Sequence, residues 1–325
     1  MKRKAQEQLE KGQKNHGVHW LRGEMIGEGS FGSVFLATPK KPRTSKFRSM
    51  FDLPAVMAVK SAEVSTSDPI QHEAEVLFEI KGCPFVIERF GEEITTTDKG
   101  DMVYNLLLEF ATGGSLDGLI KKSNGKGLPE SDVKHYTRTI LEGLKHIHKC
   151  GYVHCDLTPE NILLMPSTTA SNVSTANLVA KVADLGLAKR RSRWEGNPMY
   201  ADACAWTDNA QDETSIDVWS LGCIVLQMLT GKLPCELVEF LDMASFELTP
   251  NSPAEISSEA RDFLKSCFAR RPRERLTAEK LLLHRFVAQP QASEANGHHI
   301  QVVKQRKGML KKASSAQLSA IQMVS

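Results

Sequence analysis

The stretch Tyr152–Met165, YVHCDLTPENILLM, places one Asp and one Asn five residues apart between apolar flanks. Asp156 in such a loop can take a proton from an attacking hydroxyl, and Asn161 can hold a metal ion. That pair has a use only with a nucleotide clamp upstream and a second metal-binding acid downstream. Upstream, Gly27-Glu28-Gly29-Ser30-Phe31-Gly32-Ser33-Val34 reads GxGxxGxV, in which glycines let backbone amides lie close over phosphates. Alone, the pattern also fits a plain hairpin turn or a dinucleotide site. The strand-like SVFLA after the glycines, where a dinucleotide fold needs a helix, argues against the latter. Lys60 closes the apolar run AVMAVK, and a buried ammonium there requires an anion, either phosphate or a helix carboxylate. In HEAEVL, Glu73 lies one turn before Leu77 on the buried side, whereas Glu75 faces solvent. Downstream, Asp184-Leu185-Gly186 follows VAKVA, and an Asp at a strand end beside Gly suits Mg²⁺ held against phosphate oxygens.

The elements that must position these residues fall into two groups. From His19 to Phe110 the pattern is mostly strands: Trp20–Ile26 and Ser33–Ala37 joined by the glycine-rich turn, Ala55–Lys60, Phe85–Phe90 and Met102–Phe110. A helix over Asp68–Ile80 is expected to bury Ile70, Ala74, Leu77 and Phe78, with Asp68 as N-cap and Pro69 at the first helical position. Pro39–Met50 reads as a loop. After Gly114 helices dominate: Ser115–Lys122, Glu130–His148, Ile216–Leu229, Ser258–Phe268 and Thr277–Leu283. Val133, Tyr136, Thr137, Ile140, Leu141, Leu144 and Ile147 make one apolar face of the long second helix. Ile162–Leu164 and Val179–Ala183 are short buried strands flanking the polar loop Pro166–Asn177.

With 325 residues, the chain is long enough for two cores or one two-lobed domain. No apolar run is long enough to span a bilayer, and the charged N-terminus lacks the apolar stretch of a secretory signal. Seven scattered Cys without a CxxC pair read as reduced thiols in a cytoplasmic or nuclear protein. The net charge of +2 is unevenly spread: residues 1–16, 39–50 and 301–325 are basic, and the remainder carries a net −11. The basic segments read as solvated tails, with regulatory contacts to an acidic partner or an anionic surface as the functional alternative.

The ordered set of glycine loop, strand Lys60, helix Glu73, HxDxxxxN and DxG resembles the protein kinase family. VHCDLTPENILLMPS, KVADLGLAK, AVKSAEVS and AEKLLLHRFV are most similar to plant MAP kinase kinase kinases of the small MEKK-like group. The resemblance spans residues 19–288 and implies an α+β, two-lobed kinase fold. An N-lobe of antiparallel sheet plus one helix covers 19–110, and a mainly helical C-lobe covers 111–288. Basic tails at 1–18 and 289–325 flank them. The implied activity is transfer of the ATP γ-phosphoryl group to a protein Ser or Thr, with Mg²⁺, in a MAP kinase cascade whose next member, a MAP kinase kinase, is the substrate. No nucleic acid is expected as a partner. By the same resemblance Ile26, Gly27, Glu28, Gly29, Ser30, Phe31 and Gly32 cover ATP, and Val34 and Ala58 sandwich the adenine. Lys60, paired with Glu73, holds the α- and β-phosphates. Glu109 and Ala111 offer hinge bonds, with Leu108 guarding the pocket behind. Asp156 orients the hydroxyl, while Asn161 and Asp184 bind Mg²⁺. His154 packs beneath the metal-binding turn, and Asp217 fixes the catalytic-loop backbone.

Several positions depart from the family. Leu185 replaces Phe and keeps an apolar plug. Cys155 stands where an Arg usually meets an activation-loop phosphate. Thr158 occupies the place of the catalytic Lys, and Asn197 that of a Thr in the same network. Asp202-Ala203-Cys204 lacks the Glu that normally pairs with Arg275, for which Asp202, Asp208 or Glu213 could substitute. These changes leave a nucleotide-binding pseudokinase or scaffold as the alternative reading.

Overall fold

The computed structural model describes residues 16–29, 31–40, 53–166, 178–191, 213–232 and 256–288, and the backbone alone at Leu241–Asp242 and Glu247–Leu248. The chain divides after Val287, and all that follows concerns the unit before that point. Alternating apolar residues in its first part give β1 (Trp20–Gly29), β2 (Gly32–Pro39), β3 (Met57–Glu63), β4 (Arg89–Thr96) and β5 (Met102–Glu109). They form one antiparallel sheet in the order β1-β2-β3-β5-β4. The register sets Gly27 opposite Val34 and Val34 opposite Lys60, so one cross-strand row joins the glycine loop to the lysine. Ala58 lies between Leu36 and Leu108 in a second row.

Two strand expectations change. Gly27 and Gly29 lie inside β1 rather than in a turn, and Gly29 faces Gly32 at the hairpin end. Gly32 has φ 146°, and a Cβ there would meet the Ser61 carbonyl oxygen at 2.4 Å, so the close approach of β2 to β3 requires glycine. The strand expected at Phe85–Phe90 begins only at Arg89 and extends to Thr96. Ile87 instead donates its amide to the Val182 carbonyl at 2.9 Å, outside the main sheet. The polar GEEITT stretch is strand because it forms the sheet edge, with one side open to water.

Helix α1 (Asp68–Glu79) begins after Ser67, with Asp68 and Pro69 in its first turn; Asp68 therefore complements the helix dipole rather than capping the helix. Its buried arc holds Ile70, Glu73, Ala74, Val76 and Leu77. Phe78 falls outside that arc and is 58% exposed, with the Lys81 and Arg89 cations over its ring.

The second part is built on α3 (Glu130–Lys149), which follows α2 (Leu116–Lys122) and buries the whole expected apolar face. Two small sheets carry the loops that matter: β6 (Tyr152–Val153) with β9 (Lys189–Arg190), and β7 (Ile162–Pro166) with β8 (Leu178–Val182). Helix α4 (Ser215–Thr230) is buried nearly all round and stops at the left-handed Gly231. The pair β10 (Leu241–Asp242) and β11 (Glu247–Leu248), then α5 (Ser258–Cys267) and α6 (Ala278–Leu281), complete the described elements. One apolar core runs without a break from Ala58, Ile70 and Leu106 through Ile140 and Leu164 to Leu221 and Phe263. A smaller one on the sheet gathers Trp20, Ala37, Met57, Val59 and Leu107. Among the described residues no helix is long and apolar enough to cross a membrane.

Candidate active site

Lys60 lies on β3 with its stem in the core and its ammonium between two carboxylates. Nζ is 2.8 Å from Glu73 Oε2 and 2.9 Å from Asp184 Oδ1. Glu73 reaches it because the α1 period turns this one acid of the helix into the buried arc, while Glu75 stays exposed. The other Glu73 oxygen accepts the Leu185 amide at 3.4 Å, so one carboxylate fixes both the lysine and the turn after Asp184. Burial pulls the Lys60 ammonium pKa down, but the two facing carboxylates outweigh it and hold the value above that of a free lysine. Asp184 takes a left-handed backbone, φ 58°, and its Oδ1 accepts the Gly186 amide at 3.4 Å.

The catalytic loop is pinned from below by Asp217 on α4. Its Oδ2 accepts the His154 amide at 2.8 Å and its Oδ1 the Cys155 amide at 3.0 Å, and His148 Nε2 donates to Oδ2 at 2.7 Å. Burial alone pushes this carboxyl pKa up, yet the His148 bond, the two histidines and the His154 amide together bring it below the ordinary Asp value. These bonds hold Cys155 at φ 67°, a conformation that a non-glycine residue adopts only under constraint. His154 donates from Nε2 to the Ala183 carbonyl at 3.0 Å and accepts the Asp156 amide at Nδ1, 3.2 Å, which fixes one tautomer. It thus sits beneath the Asp184 turn. Asn161 donates Nδ2 to the Asp156 carbonyl at 2.9 Å and to its Oδ2 at 3.0 Å, and accepts the Ala183 amide at its own carbonyl, 2.9 Å.

The structure therefore brings Lys60, Glu73 and Asp184 together, brings Asp156 and Asn161 together, and joins the two sets through Ala183. With its Nδ2 committed to Asp156, Asn161 keeps Oδ1 for a metal. Asp184 adds carboxylate oxygen, and two protein oxygens completed by phosphates and water match what Mg²⁺ takes from such sites. Among the described residues no three His, Cys, Asp or Glu side chains form a closed metal cage.

Other expected residues sit around this centre. Ile26 and Glu28 are exposed on β1, and Phe31 is half-buried against the main core. Val34 and Ala58 lie in the two cross-strand rows, with Leu108 buried beside Ala58. The Ala111 carbonyl accepts the Gly114 amide at 3.2 Å. Glu109 carries a contact that sequence reasoning missed: both its oxygens meet Lys181 Nζ, at 2.9 and 2.7 Å. Thr158 is buried, and among the described residues nothing hydrogen-bonds its hydroxyl; its carbonyl accepts the Asn161 amide at 3.1 Å. Leu185 is fully buried, as an apolar plug should be. Arg275 donates to the Ala269 and Ser215 carbonyls at 3.0 and 3.2 Å and lies over the Trp219 ring. Ser30, Asn197, Asp202, Ala203, Cys204 and Asp208 lie outside the described residues, as do the basic segments apart from His16 and Pro39–Lys40.

The family model described as "Protein kinase domain" matches residues 20–287. The chain is 37% identical over 278 residues to mitogen-activated protein kinase kinase kinase 20 of Arabidopsis thaliana, covering 83% of this chain and 78% of that protein. It is 33% identical to kinase kinase kinase 17 of the same plant, over 83% of this chain and 70% of that one. Against kinase kinase kinase 18 the identity is also 33%, over 86% and 80%.

Proposed function

The chain belongs to the protein kinase family, and on that premise we propose that it is a MAP kinase kinase kinase whose protein substrate is a MAP kinase kinase. It is an ATP-dependent Ser/Thr kinase. The finer reading is supported by the names of its Arabidopsis relatives, which span most of both chains.

In this reading Gly27, Gly29 and Gly32 cover the phosphates, with Ile26, Glu28, Ser30 and Phe31 completing the loop. Val34 and Ala58 enclose the adenine, and Glu109 and Ala111 meet its edge with backbone groups. Lys60, held by Glu73, grips the α- and β-phosphates. Asp156 accepts the proton of the attacking Ser or Thr hydroxyl and aims it, its carboxylate steadied by Asn161. Asn161 Oδ1 and Asp184 are the groups that would hold Mg²⁺, which when bound neutralises charge on the transferring phosphoryl group. Thr158 lies next to Asp156 in the loop and offers a hydroxyl where most of the family offers an ammonium. Positioning and charge, rather than covalent chemistry by the protein, do the work.

One observation carries the reading: Lys60 is already paired with both Glu73 and Asp184. It supports a site for nucleotide phosphates, which a nucleotide-binding pseudokinase would share; Asp156, held by Asn161 at 3.0 Å beside that site, is what favours transfer over the alternative. The test is phosphate transfer from Mg²⁺-ATP to a MAP kinase kinase by the purified chain, beside a Lys60→Met control. Label on the substrate well above the control supports the proposal; label equal to the control defeats it.

A further inference from the structure

Helix α1 carries Glu73, so whatever fixes the helix fixes the lysine pair. His72 and Glu79, seven residues apart, share a side face of α1 that borders the core arc at the buried Val76. That face runs along the chain segment after Asp184. His72 Nε2 donates to the Ala188 carbonyl at 2.6 Å. At the far end of the helix, Glu79 Oε2 accepts the Tyr152 hydroxyl at 2.8 Å and pairs with the Arg190 guanidinium. Arg190 Nε donates to the same Tyr152 oxygen at 3.1 Å, and the guanidinium lies 5.2 Å from the Tyr152 ring centroid. Tyr152 and Arg190 are register partners across β6 and β9. Three elements meet here: the helix of Glu73, the strand that enters the catalytic loop two residues before His154, and the strand that follows Asp184. The three residues also line a cavity of about 550 Å³, together with Val76 and Leu187.

We propose that Arg190, Glu79 and Tyr152 form an ionic clamp that positions α1, keeping Glu73 on Lys60. The three are positioning residues, and their effect on rate rests on phosphoryl transfer at the Lys60–Asp184 site. Cys155 gives the proposal its context. Its buried thiol, raised in pKa by burial and then by Asp217, offers no cation near this seam. The clamp instead takes its anion from Glu79, a side chain of the helix itself. It needs no phosphate. Its ion pair is exposed, 68% at Arg190 and 44% at Glu79, so it is the tie of the seam that salt can loosen.

The test compares the full chain with Arg190→Met, Glu79→Gln and the charge-swapped Glu79→Arg/Arg190→Glu. Two readouts are taken: hydrogen exchange of the α1 amides, and transfer rate at low and high salt. Either single change is expected to speed α1 exchange and lower kcat by roughly two- to fivefold, since one exposed ion pair sets a bias of at most about that size. The swap should restore both to within about twofold. The parent should lose rate with added salt more steeply than Arg190→Met, because the variant has no ion pair left to screen. Unchanged α1 exchange in both single variants, or a swap no better than they are, overturns the clamp. If the parent itself transfers no more than Lys60→Met, the proposed function fails, and exchange alone still decides the clamp.

Discussion

Replacing Glu73 with Gln tests whether the buried pair acts in transfer or only in folding. The side chain is 1% exposed and Lys60 is 9% exposed, so the pair is dry. Removing one member of such a pair costs about 3–5 kcal/mol, chiefly through the charge left behind. Lys60 keeps Asp184 at 2.9 Å, though that carboxylate is 28% exposed and better screened. The lower end, about 3 kcal/mol, is therefore the expected loss. Gln retains an oxygen for the Leu185 amide, so the turn survives, and most of the loss falls where Lys60 must be aimed. If it all appears in the transition state, 3 kcal/mol is about a 10²-fold fall in kcat/KM for ATP. The assay is initial-rate transfer at varied Mg²⁺-ATP, with melting followed in parallel. Glu73→Asp, one methylene short, should fall between Gln and the parent. A Gln variant that melts several degrees lower yet transfers within threefold of the parent would refute the reasoning, since the pair would then serve the fold alone.

Gly32→Ala should fail as a fold and Gly27→Ala as a binder. At Gly32 the new Cβ meets backbone at 2.4 Å and φ is 146°, so a loss of roughly 1–3 kcal/mol is expected in denaturant melts; at Gly27 the nearest atom is 3.9 Å away, so stability holds while KM for ATP rises. Asp217→Asn should change the acid limb of the stability profile. The Asp217 pKa is lowered in the fold, so its contribution is present above the unfolded value near pH 4 and lost as pH falls through the folded one. The stability gap between parent and variant should therefore be flat from pH 7 to 5 and shrink below about pH 4 in urea melts. Lys181→Met, which frees both oxygens of Glu109, should raise KM for ATP about three- to tenfold and leave kcat within twofold, read from the same rate curves.

What the sequence disclosed follows the range of its interactions. The α3 face from Val133 to Ile147 and the choice of Glu73 over Glu75 were legible because helical period alone decides them. The order of strands before helices followed from where the residue patterns change, and the two lobes from the kinase resemblance. β4 was misplaced because an edge strand need not be apolar, and the apolar Phe85–Ile87 stretch pairs with Val182 of β8 instead, through the Ile87 amide and the Phe85 carbonyl. Phe78 was misassigned because it borders the buried arc, and only the neighbouring sheet decides where that arc ends. The Lys181–Glu109 pair and the Glu79–Arg190 pair span 72 and 111 residues. No local pattern marks such partners, and a charged residue on a strand or helix edge looks like any solvated one until the chain is folded.

The long-range ties share one feature that the short-range pattern conceals. Residues 181 to 188 are bound in turn to both halves of the domain. Lys181 goes to Glu109 at the end of β5, and Val182 exchanges backbone bonds with Phe85 and Ile87. Ala183 is held by Asn161 and His154 of the catalytic loop. Asp184 meets Lys60 on β3, Leu185 meets Glu73 on α1, and Ala188 meets His72. Only Lys181 and Val182 of these lie in β8; the left-handed backbone at Asp184 and the turn after it redirect the segment, so its later groups meet β3 and α1. Asp184 consequently stands three residues from the hinge contact and one residue from the catalytic loop contact. A shift of the five-stranded sheet at Glu109, or of α1 at Glu79, reaches the same carboxylate through bonds rather than through a packed core. Asp184, the proposed metal ligand, is thus the point where sheet, helix and catalytic loop must agree, which is why the proposed clamp at the distant end of α1 can govern a lysine on β3.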